Sequence, residues 1–204
     1  MNNIEGEKKE DKTLMQNLIA NIPNCEFGDF VIPSYSITEG CLIRFWVQKP
    51  TINTNSHKVN ELMDFIQSKL KKEYKLNIDT FPIPFKKSYK HCFKSYRVRD
   101  FTREWNLEVK QSLRDNFDLK DHYKIQNLGY NQLKLLALLK LFSKKGICII
   151  DFYGVDPMGE IHLTNYIKSK LGEGQTILAF DDLNFDQREH NDKHICNIEI
   201  KRKK

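Results

Sequence analysis

The chain lacks any apolar run long enough for a membrane. Its longest runs, such as Leu135–Leu139 and Ile147–Ile150, fall far short of the roughly 20 residues a spanning helix needs. No transmembrane helix is expected, and the polar, mixed-charge start Met1–Lys12 does not read as a signal peptide. Paired cysteines are missing too. The five cysteines (Cys25, Cys41, Cys92, Cys148 and Cys196) are odd in number, contain no CxxC and have no metal-ligand spacing to any histidine. They read as reduced thiols of a cytoplasmic protein. None of His57, His91, His122, His162, His190 and His194 has a catalytic companion, so no Ser/His/Asp or Cys/His arrangement can be argued. His190 and His194 stand at helical spacing, but Asn191 and Asp192 between them favour a turn. Internal repeats are absent as well.

What is present suits one α/β domain. With 204 residues, 40% of them hydrophobic and 29% charged, the chain can bury one substantial core. The net charge of +6 is partly local. Residues 86–103 carry Lys86, Lys87, Lys90, Lys94, Arg97, Arg99 and Arg103 against Asp100 alone, and the end Lys201–Lys204 is basic throughout. Such patches face nucleic acid, a membrane surface, an acidic partner or simply water.

Along the chain, residues 1–26 read as a charged arm followed by a short helix over Leu14–Ile22. Residues 27–200 read as the domain, and 201–204 as a basic tail. From Phe27 to Val47 the β-branched and aromatic content, broken by Pro33 and Glu39-Gly40, predicts strands joined by turns. Cys41–Val47 (CLIRFWV) is nearly all apolar, as in a strand covered on both faces. A polar loop, QKPTINTNSHK, precedes Val59, Leu62, Met63, Ile66 and Leu70, whose spacing lines one face of a helix. Asn77–Phe81 reads as a further strand, stopped by Pro82 and Pro84. Residues 85–130 read as mainly helical, because Phe85, Tyr89, Phe93 and Tyr96 recur every three or four residues. Asn131–Phe142 is then an apolar helix ended by Gly146, Ile147–Ile150 a buried strand delivering Asp151, Glu160–Leu171 a helix, and Thr176–Phe180 a second buried strand. Strand, helix, strand with apolar strands implies a parallel βαβ unit.

Taken in order, these landmarks resemble the nucleotide-binding domain of ABC-type ATPases over roughly residues 27–185. LGYNQ (Leu128–Gln132) sits where that family carries its LSGGQ signature, and ICIID (Ile147–Asp151) where it carries the Walker B strand. GVDP (Gly154–Pro157) looks like the D-loop, and TILAFDD (Thr176–Asp182) like the switch strand. The resemblance implies a P-loop NTPase-type α/β fold: a mainly parallel sheet, flanking helices and a helical subdomain at 85–130.

The residues that carry the chemistry depart from the family pattern. A P-loop needs glycines so that backbone N–H groups reach the phosphates, a lysine for the β/γ-phosphates, and a hydroxyl for Mg²⁺. The corresponding stretch, Gln48–Lys58, has no glycine, and Lys58 is followed by Val59 and Asn60. Phe152 stands where the water-activating glutamate belongs and cannot accept a proton. Asp181 replaces the switch histidine, placing an anion where an anion would bind. No glutamine follows the strand near Pro82–Phe85, and Gly129, Tyr130 and Asn131 replace Ser-Gly-Gly.

The expectation is therefore a catalytically inactive ABC ATPase-like subunit. Its vestigial nucleotide site would comprise Lys58, Gln132, Asp151, Phe152, Asp156 and Asp181, with no cofactor and no resident metal. The four aspartates Asp151, Asp156, Asp181 and Asp182 at the strand ends are of a type that suits a divalent cation, but Asp156 and Asp182 serve equally as caps. The expected partner is a membrane permease or an active ABC ATPase, in a homo- or heterodimer. Phe85, Tyr89, Phe93 and Tyr96 would be the anchors and Lys86, Lys87 and Lys90 the steering charges. The chain would be cytoplasmic, reaching a membrane only through its partner. The alternative is a basic nucleic-acid-binding α/β module, since FKKSYKHCFKSYRVR mixes cations with aromatics.

Overall fold

The computed structural model describes residues 17–48, 57–80, 97–103, 110–111, 115, 118–142, 146–171, 173–182 and 192–203. In chain order these form β1 (Leu18–Ile22), β2 (Cys25–Phe27), β3 (Phe30–Ile32), β4 (Tyr35–Thr38), β5 (Leu42–Val47) and α1 (His57–Glu73). After them come β6 (Ile78–Thr80), α2 (Val98–Phe101), α3 (Tyr130–Phe142), β7 (Ile147–Asp151), α4 (Pro157–Leu171), β8 (Thr176–Asp182) and β9 (Ile195–Arg202).

Seven strands make one sheet in the order β2-β3-β9-β5-β8-β7-β6, and β1 pairs with β4 in a separate two-stranded sheet. From β9 to β6 all neighbours are parallel, whereas β2, β3 and β9 pair antiparallel. Strands β5, β7 and β8 are buried at every position. That burial explains their uniformly apolar sequences, because a parallel sheet is covered on both faces.

Side-chain alternation divides the core in two. Ile43, Phe45, Val47, Leu178 and Phe180 face α1, whose Val59, Leu62, Ile66 and Leu70 recur at helical spacing and are buried against them. Phe45 stacks on Phe180 with ring centroids 4.8 Å apart. On the opposite face Leu42, Cys148, Ile150, Ile177 and Ala179 meet Leu135, Leu138 and Leu139 of α3 and Leu163, Ile167 and Leu171 of α4. Each large apolar side chain so buried contributes roughly 1.5–3 kcal/mol. The turn into β5 depends on Gly40: its φ is +72° and a Cβ there would stand 3.0 Å from the Leu171 carbonyl oxygen.

The expected α/β layering and the βαβ unit β7–α4–β8 are present. Two local expectations fail. Leu14–Ile22 was expected to be helical, yet Leu18–Ile22 is a strand paired antiparallel with β4. Five residues cannot sustain a helix alone, and the ladder to Tyr35–Thr38 satisfies their backbone groups while Ala20 and Ile22 enter the core. The basic end 201–204, set apart as a tail, is continuous with the sheet as far as it is described. Lys201 and Arg202 belong to β9 and pair with Val31 and Phe30. Arg202 forms an ion pair with Asp29, and Lys203 one with Glu26 at 2.5 Å, so acidic groups offset this local charge. Strand β9 lies between β3 and β5 and had no counterpart in the sequence reading.

Candidate functional site

Strands β7 and β8 run parallel with Asp151 opposite Phe180, which sets Asp181 one residue further along at the end of β8. The ladder continues one residue further through the Phe152 N–H, which donates to the Phe180 carbonyl at 2.9 Å. Carboxylates at the carboxyl ends of parallel strands mark the usual position for a ligand site in such sheets. Here buried cations hold both of the principal ones.

Lys134, on α3, is 2% exposed. Its Nζ donates to Asp151 Oδ1 at 2.6 Å, to the Asp151 carbonyl at 2.7 Å and to the Tyr153 carbonyl at 2.6 Å. Burial depresses the lysine's proton affinity below the ordinary value, and the Asp151 carboxylate pulls it partly back. The same Oδ1 accepts the Tyr153 N–H at 3.1 Å, and the Tyr153 hydroxyl donates to the Asp181 carbonyl at 3.0 Å. Burial, reinforced by the aspartates around it, raises the Tyr153 phenol far above its usual range, so it stays a neutral donor.

Arg44 of β5 is equally enclosed, at 2% exposure. One of its terminal nitrogens reaches Glu160 Oε1 of α4 and Asp181 Oδ2 of β8, each at 2.5 Å. The guanidinium lies 4.4 Å from the Trp46 ring centroid and 5.0 Å from that of Phe152, a cation–π arrangement on both rings. Trp46 in turn donates to Asn197 Oδ1 of β9 at 2.8 Å. Asp181 is pushed up to about 6, by burial first and then by the neighbouring Glu160, against the opposing pull of Arg44. Phe152 is 3% exposed and packs in the apolar cluster with α3 and α4.

Asp156 caps α4. It precedes Pro157, the first helical residue, and its Oδ1 accepts the Gly159 N–H at 2.8 Å, as an N-cap aspartate does. This bond, followed by a second from Asn131, lowers its proton affinity. Asn131 Nδ2 donates to the other Asp156 oxygen, tying the start of α3 to the start of α4. Gln132 Oε1 accepts the Gly129 N–H at 3.1 Å, the half of a capping box that closes the start of α3. Asp182 follows Asp181 and donates its N–H to Asp181 Oδ1 at 2.7 Å.

Of the residues singled out from the sequence, Asp151, Phe152 and Asp181 gather at the strand ends. Asp156 and Gln132 instead cap their helices. Lys58 lies in the first turn of α1, and its side chain is outside the described residues, as is the loop 49–56. Phe85, Lys86, Lys87, Tyr89, Lys90, Phe93 and Tyr96 also lie outside them, together with most of the segment 85–130 before residue 118. Among the described residues no group of three or more His, Cys, Asp or Glu side chains is placed to hold a metal ion. None of the described helices is long and apolar enough to cross a membrane. The sequence reading missed Arg44, Lys134, Glu160 and Tyr153. A visible signal existed for two of them: Arg44 interrupts an apolar strand, and Lys134 an apolar helix.

No protein family matches the chain by sequence, and no curated protein does so either. Solved structures do match. A putative ABC transporter ATP-binding protein from Pyrococcus furiosus aligns with a TM-score of 0.58 at 14% identity, covering 85% of this chain and 92% of that one. A complex of an archaeal ribosomal stalk protein and an archaeal ribosome recycling factor gives 0.57 at 15% identity over 95% of this chain and 41% of the matched one. An RNase-L inhibitor gives 0.56 at 16% identity over 83% and 35%. The chain thus spans well under half the length of the latter two. The fold is that of an ABC ATPase nucleotide-binding domain: α/β, with a mostly parallel sheet and flanking helices.

Proposed function

We propose that this chain is a catalytically inactive ABC ATPase-like domain that serves as a structural or regulatory partner, either of a membrane permease or of an active ABC ATPase, in a homo- or heterodimer. It would act in the cytoplasm and reach a membrane through that partner. The observation that carries the reading is the Lys134–Asp151 pair: the carboxylate at the end of the Walker B-like strand is bonded to a buried ammonium at 2.6 Å. Beside it, Phe152 offers no proton acceptor, and the Asp181 carboxylate is engaged by Arg44. The glycine-free stretch Gln48–Lys58 supports the same reading, since phosphate capture there would need close backbone approach.

Calorimetry with Mg-ATP and phosphate-release assays on the purified chain test it. Neither binding nor turnover is expected. Micromolar binding, or turnover that disappears in Asp151→Asn, would overturn the proposal.

A further inference from the structure

We infer that the turn Asp151–Tyr153 is a monovalent-cation site whose occupant is the chain's own Lys134 ammonium, a tethered ion that holds the ends of β7 and β8 together. The inference rests on the oxygens around Nζ and stands whether or not the domain binds nucleotide.

Three oxygens converge on one point: Asp151 Oδ1, the Asp151 carbonyl and the Tyr153 carbonyl, at 2.6, 2.7 and 2.6 Å from Nζ. One carboxylate with two main-chain carbonyls is a set of ligand types that hard cations take. The distances are those of charge-assisted N–H···O bonds, and a single carboxylate balances a single positive charge. These acceptors suit the N–H donors of a lysine ammonium. Without a cation these oxygens would face one another in a buried place, a costly arrangement unless something positive lies between them. The turn the ammonium organises carries the next connection, because Tyr153 donates its N–H to Asp151 and its hydroxyl to the Asp181 carbonyl at the end of β8. Lys134 is therefore a positioning residue for both strand ends.

Removing the tether while keeping the oxygens should leave a hollow that a small free ammonium ion fills. Thermal melts of the full chain carrying Lys134→Ala, in methylammonium chloride and in tetramethylammonium chloride at equal ionic strength, read this directly. In tetramethylammonium, which is too bulky for the hollow, Tm should fall by about 8 °C or more relative to the unaltered chain. Methylammonium should return at least about 3 °C of that loss in a saturating manner, by mass action on the folded state, while the unaltered chain melts identically in both salts. Equal melting of the variant in the two salts overturns the inference. Should Lys134→Ala fail to fold, the nitrogen-15 spectrum of the unaltered chain decides. A slowly exchanging lysine ammonium signal that disappears in Lys134→Arg supports the enclosed ion, and the absence of any such signal overturns it.

Discussion

Arg44 and Asp181, 137 residues apart in sequence, meet at 2.5 Å across the neighbouring strands β5 and β8. The same guanidinium nitrogen also holds Glu160 of α4, so one cation joins the centre of the sheet to a flanking helix. Arg44→Met would keep much of the side-chain volume but leave two carboxylates buried without a counter-charge. Removing one partner of a buried ionic group costs about 3–5 kcal/mol. Urea denaturation should show a loss of that size; a loss below about 1 kcal/mol, the range of exposed pairs, would mean that the network contributes little.

The acidic excess around Arg44 gives the protein a pH signature. Asp181 is raised from 3.8 to about 6 by burial and by Glu160. An acid whose folded-state affinity for protons is raised makes the folded state bind more protons than the unfolded one between those two values. Stability from this residue is therefore highest at low pH, declines as pH rises from about 4 to about 6, and is level above. The swing is on the order of 1–3 kcal/mol. Melting curves of the unaltered chain and of Asp181→Asn should diverge across this window, with the variant gaining relative stability as pH rises. Parallel pH profiles would refute the assignment.

Phe152→Glu tests the proposed inactivity of the site. No ATP turnover should appear, because Asp151 remains bonded to Lys134 and the stretch Gln48–Lys58 still has no glycine. Phe152 is 3% exposed, so the new carboxylate would be buried beside Asp181 and Glu160. A stability loss of about 3 kcal/mol or more is expected, as for a poorly compensated buried charge. Measurable phosphate release by this variant would contradict the account of an inactive site.

At the start of α4 the usual helix rule should reverse. Gly→Ala inside a helix normally adds up to about 1 kcal/mol, but a Cβ at Gly159 would stand 2.5 Å from Asn131 Nδ2 and 3.0 Å from Val155 Cγ1. Asn131 would have to leave Asp156, so Gly159→Ala should destabilise by about 1–2 kcal/mol, comparable to losing a cap. Adding Asn131→Ala should recover part of that loss. A double-mutant cycle in urea reads the coupling, and additive effects would show that the close approach is not what matters.

Much of the architecture could be read from local pattern. The helical spacing of Val59, Leu62, Ile66 and Leu70, the apolar strands around Ile149 and Leu178, and the order of strand, helix and strand all have short-range causes. So does the position of Asp151, because a buried strand ending in a carboxylate is visible in five consecutive letters. What Asp151 does was not visible there. Its partner Lys134 sits 17 residues earlier in a helix, where a lone lysine in an apolar stretch reads as a charge that will find water.

The same limit explains the larger misses. Leu18–Ile22 becomes a strand through pairing with Tyr35–Thr38, and Ile195–Arg202 enters the sheet because β3 and β5 leave a place between them. Backbone pairing of that kind carries no strong local signature. Arg44 sits in the run CLIRFWV, which as a whole reads as an apolar strand; folding brings Glu160 and Asp181 to it from 116 and 137 residues away. Periodicity and composition act over a few residues and so specify elements. Register, strand order and the pairing of buried charges depend on which distant groups share a low-dielectric interior, where an unpaired charge is too costly to leave, and that is fixed when the sheet closes around them.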